Sequence, residues 1–215
     1  MRPLQPHENL PVRPPLANAT RSTPAGNLPP RSACLSEWGA SRAPALTDPL
    51  CLACGLCCSG VLFKDVELQP GDDAARLESL GIKLQRLKTK TRFPQPCSAL
   101  GSGCRCAIYP ERPQRCHDFD CALLQAAQAG KVAIPTALRT IRTTRARVEK
   151  VRKLLQALGD TDEHMPLSRR FRRTVRRMET ENRERAQASV FSELTMAYHE
   201  LNLRLSRSFY PGPVS

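Results

Sequence analysis

No stretch of this sequence approaches the run of about 18 apolar residues that a membrane-crossing helix needs. A transmembrane reading is therefore excluded. Aromatic residues make up only 5% of the 215 positions, too few to build stacking platforms for nucleic-acid bases. No P-loop, no Ser/His/Asp grouping and no paired-carboxylate pattern is present. A Gly-rich strand-to-helix loop that could hold a methyl-donor nucleotide is also missing. The first residues, MRPLQPHENLPVRPPLANAT, carry prolines where an export signal needs an apolar stretch. The expected compartment is the cytoplasm. There, ten cysteines point to reduced thiolates holding metal rather than to a disulfide framework.

What the chain does have is unevenly spread. Residues 1–50 hold 10 of the 19 prolines and no hydrophobic period. Such a segment buries too little apolar surface to offset chain entropy, so a disordered N-terminal tail is expected. Residues 51–121 hold nine of the ten cysteines, and residues 131–185 hold 16 Lys and Arg against 7 Asp and Glu. The predicted organisation is a tail over 1–50, a cysteine module over 51–130, and a basic helical hairpin over 131–215. The fold class expected is α+β, a small metal-organised module followed by a long helical hairpin.

Local patterns add detail. Residues 61–68 alternate in part and predict a strand. Pro70-Gly71 turns the chain, Asp72 or Asp73 caps a short helix, and Gly81 closes it. Ile82, Leu84 and Leu87 predict a further short strand, and residues 121–128 a helix ended by Gly130. Pro135 suits the first turn of a long helix ending at Gly159. Within it Ala137, Ile141, Thr144, Val148, Val151, Leu155 and Leu158 alternate spacings of four and three, a heptad stripe. Phe171, Val175 and Met178 open a second long helix, which Val190, Leu194, Ala197 and Leu201 continue beyond a polar middle.

The cysteines fall in two runs. The first is CLACGLCC, with Cys51, Cys54, Cys57 and Cys58; the second comprises Cys97, Cys104, Cys106, Cys116 and Cys121. Thiolates two residues apart on a tight turn converge on one ion, and Gly55 gives that turn backbone freedom. The x2, x2 spacing also matches the first three ligands of a bacterial ferredoxin run, but Cys58 breaks the match. A radical-SAM C-x3-C-x2-C loop is absent. Eight cysteines suffice for two four-ligand sites, or for one site with spare thiols. Thiolates suit both zinc and iron–sulfur clusters. Adjacent Cys57 and Cys58 are awkward ligands for a single tetrahedral zinc.

Together, Cys51, Cys54, Cys57, Cys58, Cys97 and the CAIYPERPQRCHDFDC run resemble the YkgJ-type cysteine-cluster family, with its CxxCxxCC motif and zinc- or iron-chelating domain. The resemblance rests further on Cys106, Ile108, Tyr109, Arg112, Pro113, Cys116, Phe119 and Cys121. It implies metal binding, with an iron–sulfur cluster of the [4Fe–4S] type as the first expectation and zinc as the second. The candidate ligands are Cys51, Cys54, Cys57, Cys58, Cys97, Cys106, Cys116 and Cys121. The cluster would organise the fold and serve a redox or accessory role. The family is also similar to the cysteine-rich part of flagellin lysine N-methylases, which leaves a cluster-dependent methyltransferase as an alternative.

Other residues read more plainly. Cys34 lies in the Pro-rich tail as a bystander, and Cys104 is additional to the motif. His117 stands where the family commonly has Arg, and reads as a surface or outer residue. Tyr109 to Pro113 forms a stiff turn, with Arg112 placed either structurally or to donate to an anionic cluster. The arginines at 169, 170, 172, 173, 176 and 177 read as a solvated helix surface. The alternative is a zinc-stapled module whose Arg-rich hairpin meets an anionic partner, nucleic acid or a membrane surface. A module of about 70 residues is marginal on hydrophobic burial alone. Structural zinc contributes roughly 10–16 kcal/mol, so the module is expected to lose its fold without metal.

Overall fold

The computed structural model describes residues 48–180 and 185–210. Of the tail expected over residues 1–50, residues 1–47, Cys34 among them, lie outside the described residues, as does part of the polar stretch at 181–184. The described residues form seven α-helices and one small sheet. Helix α1 spans Asp48–Cys54, so the last three positions assigned to the tail are helical instead. Pro49 sits in its first turn, where a missing N–H costs nothing. Leu50 and Ala53, three apart, both face inward.

The sheet is antiparallel in the order β1 (Asp65–Glu67), β3 (Thr91–Pro94), β2 (Gln85–Arg86). Val66 lies opposite Phe93, and Gln85 opposite Arg92. The strand expected over 61–68 is shorter than predicted, because Val61 and Leu62 are both buried in succession and cannot alternate across a pleat. The next expected strand shrinks to two residues. Helix α2 (Ala74–Ser79) lies between β1 and β2, with the Asp73 side chain accepting from Arg76 N–H at its start. Two short 3-10 turns, Ser102–Cys104 and Tyr109–Glu111, lead to α3 (Gln114–Asp118).

Helix α4 is Ala122–Gln128, and α5 is Ile134–Ala157 with Pro135 in its first turn. The heptad stripe holds: Ala137, Ile141, Thr144, Val148, Val151, Leu155 and Leu158 are all buried. Thr144 tolerates complete burial because its hydroxyl donates to the Thr140 carbonyl one turn back. Past α5, helix is described over Leu167–Thr180 (α6) and Arg185–Ser208 (α7), with part of the expected polar middle outside the described residues, and α7 supplies the main packing face for α5. Val190 is half-buried, whereas Leu194, Ala197 and Leu201 are fully buried, as their spacing predicts.

The arginine run differs from expectation. The buried stripe of α6 is Leu167, Arg170, Thr174 and Met178, leaving Phe171 and Val175 half-buried on its flank. Phe171 stacks on Tyr198 of α7 with centroids 3.8 Å apart. Arg170 and Asp160 form an ion pair at 2.9 Å with both side chains 2% exposed. Arg170 donates also to the Asp160 carbonyl, and Arg173 reaches the other carboxylate oxygen at 2.8 Å. Arg177 donates to the Leu158 carbonyl at the end of α5. Half of the run therefore fastens α6 across the end of α5. Arg169, Arg172 and Arg176 remain exposed or half-exposed.

Two hydrophobic clusters result. The larger takes Leu50, Leu56, Val61 and Leu62 from the first cysteine segment together with the buried faces of α4 to α7. It draws on residues from both sides of residue 130. The smaller gathers Leu77, Ile82, Phe93, Cys97, Ala99 and Ile108 around the sheet. The cysteine turn lies between them.

Candidate metal centre

Cys51 and Cys54 stand on the same side of α1, one turn apart. Gly55 then takes φ +63°, releasing the chain into the turn that carries Cys57 and Cys58. Glycine is required there twice over. A Cβ at Gly55 would lie 2.6 Å from the Cys104 Cβ and 2.9 Å from the Cys104 carbonyl oxygen. Cys104 itself is buried at φ +62°, so the two segments meet at their closest where both are in the left-handed region. The Cys97 N–H donates to the Cys58 carbonyl at 2.7 Å, fastening the second run of cysteines to the first. Cys106 pairs with Leu100 in an isolated bridge, Cys116 lies in α3, and Cys121 caps α4.

All nine described cysteines are thiols rather than disulfides. Burial pushes the Cys54 thiol up to about 12, with the Cys121 and Cys51 sulfurs adding to the rise and Arg145 opposing it. Cys57 is raised as well, by burial first and then by Cys54, Cys58, Cys121 and Cys51. Cys58 is raised by burial, then by Cys97, Cys106 and Cys116. Burial and the sulfurs of Cys97 and Cys106 push Cys116 up to about 12. Cys106 and Cys121 rise for the same first reason, burial, with backbone N–H groups holding both back. Desolvation is the common cause. These six thiols hold their protons at neutral pH until a cation takes the proton's place.

Two arginines serve this region. Arg145 of α5 donates to the Ala53 carbonyl at 2.8 Å, and its charge acts on Cys54. Arg112 lies over the Tyr109 ring, 3.8 Å from the centroid, and its charge acts on Cys106 and Cys116. The Arg112 Nε is buried and has no acceptor among the described residues. An N–H left bare beside thiols fits an anionic thiolate centre, because a metal-bound sulfur is an acceptor and a protonated one is a poor one. The donor set also fits, since eight sulfurs suit zinc or iron–sulfur chemistry. Among the described residues, no three His, Cys, Asp or Glu side chains are arranged to hold a metal ion as they stand. The thiols are neighbours rather than a closed coordination shell.

His117 is exposed and meets Arg112 at 3.4 Å through Nδ1, in keeping with an outer residue. Burial and the neighbouring Arg112 charge lower its pKa. Three features had no sequence signal. Arg145 is one basic residue among many in α5, and nothing in its spacing marks it. Phe209, fully buried after α7, accepts from the Ala122 N–H beside Cys121. The Tyr210 hydroxyl donates to the Leu62 carbonyl at 3.3 Å, fastening the residues that follow α7 to the first cysteine segment.

Residues 50–137 match the CxxCxxCC family model, described as a putative zinc- or iron-chelating domain. The match covers that segment alone, and zinc or iron chelation is what the description of the domain suggests for it. No curated protein and no solved structure matches the chain. Among the described residues, no helix is long and apolar enough to cross a membrane.

Proposed function

Starting from a chelating-domain segment, we propose that Cys51, Cys54, Cys57, Cys58, Cys97, Cys106, Cys116 and Cys121 hold an iron–sulfur cluster or zinc that organises the fold around the sheet. The observation that carries this reading is the gathering of desolvated thiols, raised by burial and by one another. A protein gains nothing structural from crowding thiols whose negative forms repel. A cation repays the desolvation by binding all of them. The small cluster around Phe93 has only six buried apolar residues, too few to hold its segment without a staple.

Bound zinc would act as a structural staple, and a bound iron–sulfur cluster would add one-electron transfer and a redox or accessory role. The residues of this chain exclude water from the sulfurs, and Arg112 and Arg145 offset the charge that thiolates bring. The reading is tested by absorption spectroscopy and elemental analysis of one anaerobically purified sample. Brown protein with matched iron and sulfide establishes the cluster, and colourless protein with stoichiometric zinc establishes the staple. Protein that folds with neither metal overturns the reading.

A further inference from the structure

We infer that the eight thiols form two separate centres, Cys51, Cys54, Cys57 and Cys121 in one and Cys58, Cys97, Cys106 and Cys116 in the other. This deepens the reading above and rests on it. The division follows the two hydrophobic clusters without exception. Cys51, Cys54, Cys57 and Cys121 pack against the large helical cluster, and Cys58, Cys97, Cys106 and Cys116 belong to the small cluster around the sheet. Consecutive residues Cys57 and Cys58 therefore serve opposite sides of one turn. This resolves the awkwardness of placing two adjacent cysteines on a single tetrahedral ion.

The electrostatics agree. Among sulfurs, Cys54 is affected by Cys121 and Cys51, and Cys116 by Cys97 and Cys106, with no crossing. The two residues of the turn each feel the other group as well: Cys58 acts on Cys57, and Cys54 acts on Cys58. Each group also has its own arginine, Arg145 beside the first and Arg112 beside the second. Four thiolates around a divalent ion, or around a [4Fe–4S] core of the same charge, leave about two negative charges. One arginine at each centre halves that excess. A single centre would instead leave four desolvated thiols with no cation to serve.

The test is metal and sulfide content per chain in the full-length protein, purified anaerobically. The expected result is about two zinc ions, or about eight irons with eight sulfides, or one centre of each kind. Cys121→Ser and Cys116→Ser should each remove half of the metal, and together all of it. Adding Cys51→Ser to Cys121→Ser should remove no more than Cys121→Ser alone. One zinc without iron, or about four irons without zinc, per wild-type chain overturns the two-centre inference and leaves metal binding standing. Metal-free wild-type protein overturns both. The wild-type ratio decides the matter even where a variant fails to fold.

Discussion

Replacing Gly55 with alanine would place a methyl group 2.6 Å from the Cys104 Cβ, at a backbone φ of +63°. Two costs add. The left-handed conformation costs an L-residue about 1–2 kcal/mol, and forcing a methyl into packed surroundings costs about 1–3 kcal/mol. The neighbour is ill-placed to yield, because it is a Cβ and a backbone carbonyl rather than the tip of a flexible chain. The expected loss is therefore about 2–5 kcal/mol. Gly81 provides the control, since it has φ +87° but a methyl group there would meet nothing within 4 Å. Gly81→Ala should incur the backbone cost alone. Urea denaturation followed by far-UV circular dichroism separates the two. With a slope of about 2 kcal/mol/M, Gly55→Ala should unfold about 0.5–1.5 M earlier than Gly81→Ala. Equal midpoints for the two variants would refute the close approach of the first cysteine turn to Cys104.

Further outcomes follow from burial and charge. Asp160→Asn should cost about 3–5 kcal/mol by leaving Arg170 buried without its counter-charge. Arg173→Ala, at the exposed edge of the same group, should cost about 0–1 kcal/mol; similar losses for both would contradict the buried pair. Leu155→Ala, at the centre of the α5 stripe, should cost about 2–5 kcal/mol, whereas Met196→Ala on the exposed face of α7 should stay within about 0.5 kcal/mol. Burial holds the Tyr210 phenol up to about 12, against an ordinary value of 10. The unfolded chain therefore ionises first, so this contribution is intact below pH 10 and is lost as pH rises toward 12. Tyr210→Phe should remove that part of the alkaline slope, and an unchanged slope would count against it. Removing metal with a chelator should expose the amides of residues 65–116 to hydrogen exchange while α5 and α7 stay protected, since the helical cluster is the larger of the two. Uniform protection after metal removal would sink the staple.

The parts of this fold legible in the sequence are those set by period and by single turn residues. The stripe from Ala137 to Leu158 could be read directly, because two long helices must bury one face each. Asp73, Gly81 and Pro135 likewise announced the ends of their elements. Strand β3 could not be read, since Thr91–Pro94 is short, polar at its start and ends in proline. Arg170 was misjudged because its burial depends on Asp160, a loop residue whose approach no helical period reports. In the candidate centre, the sequence offered eight cysteines as ligands, and their spacing left open how they would group. The opposite directions of Cys57 and Cys58 are a property of the turn after Gly55 and of the two packing clusters it separates.

The central claim is thiolate ligation of metal, and X-ray absorption at the zinc or iron edge addresses it most directly. The account predicts a first shell made of sulfur alone, at about 2.3 Å for zinc, in protein that has kept its native metal. A shell containing nitrogen or oxygen at about 2.0–2.1 Å would contradict it, and would move the site away from the eight cysteines.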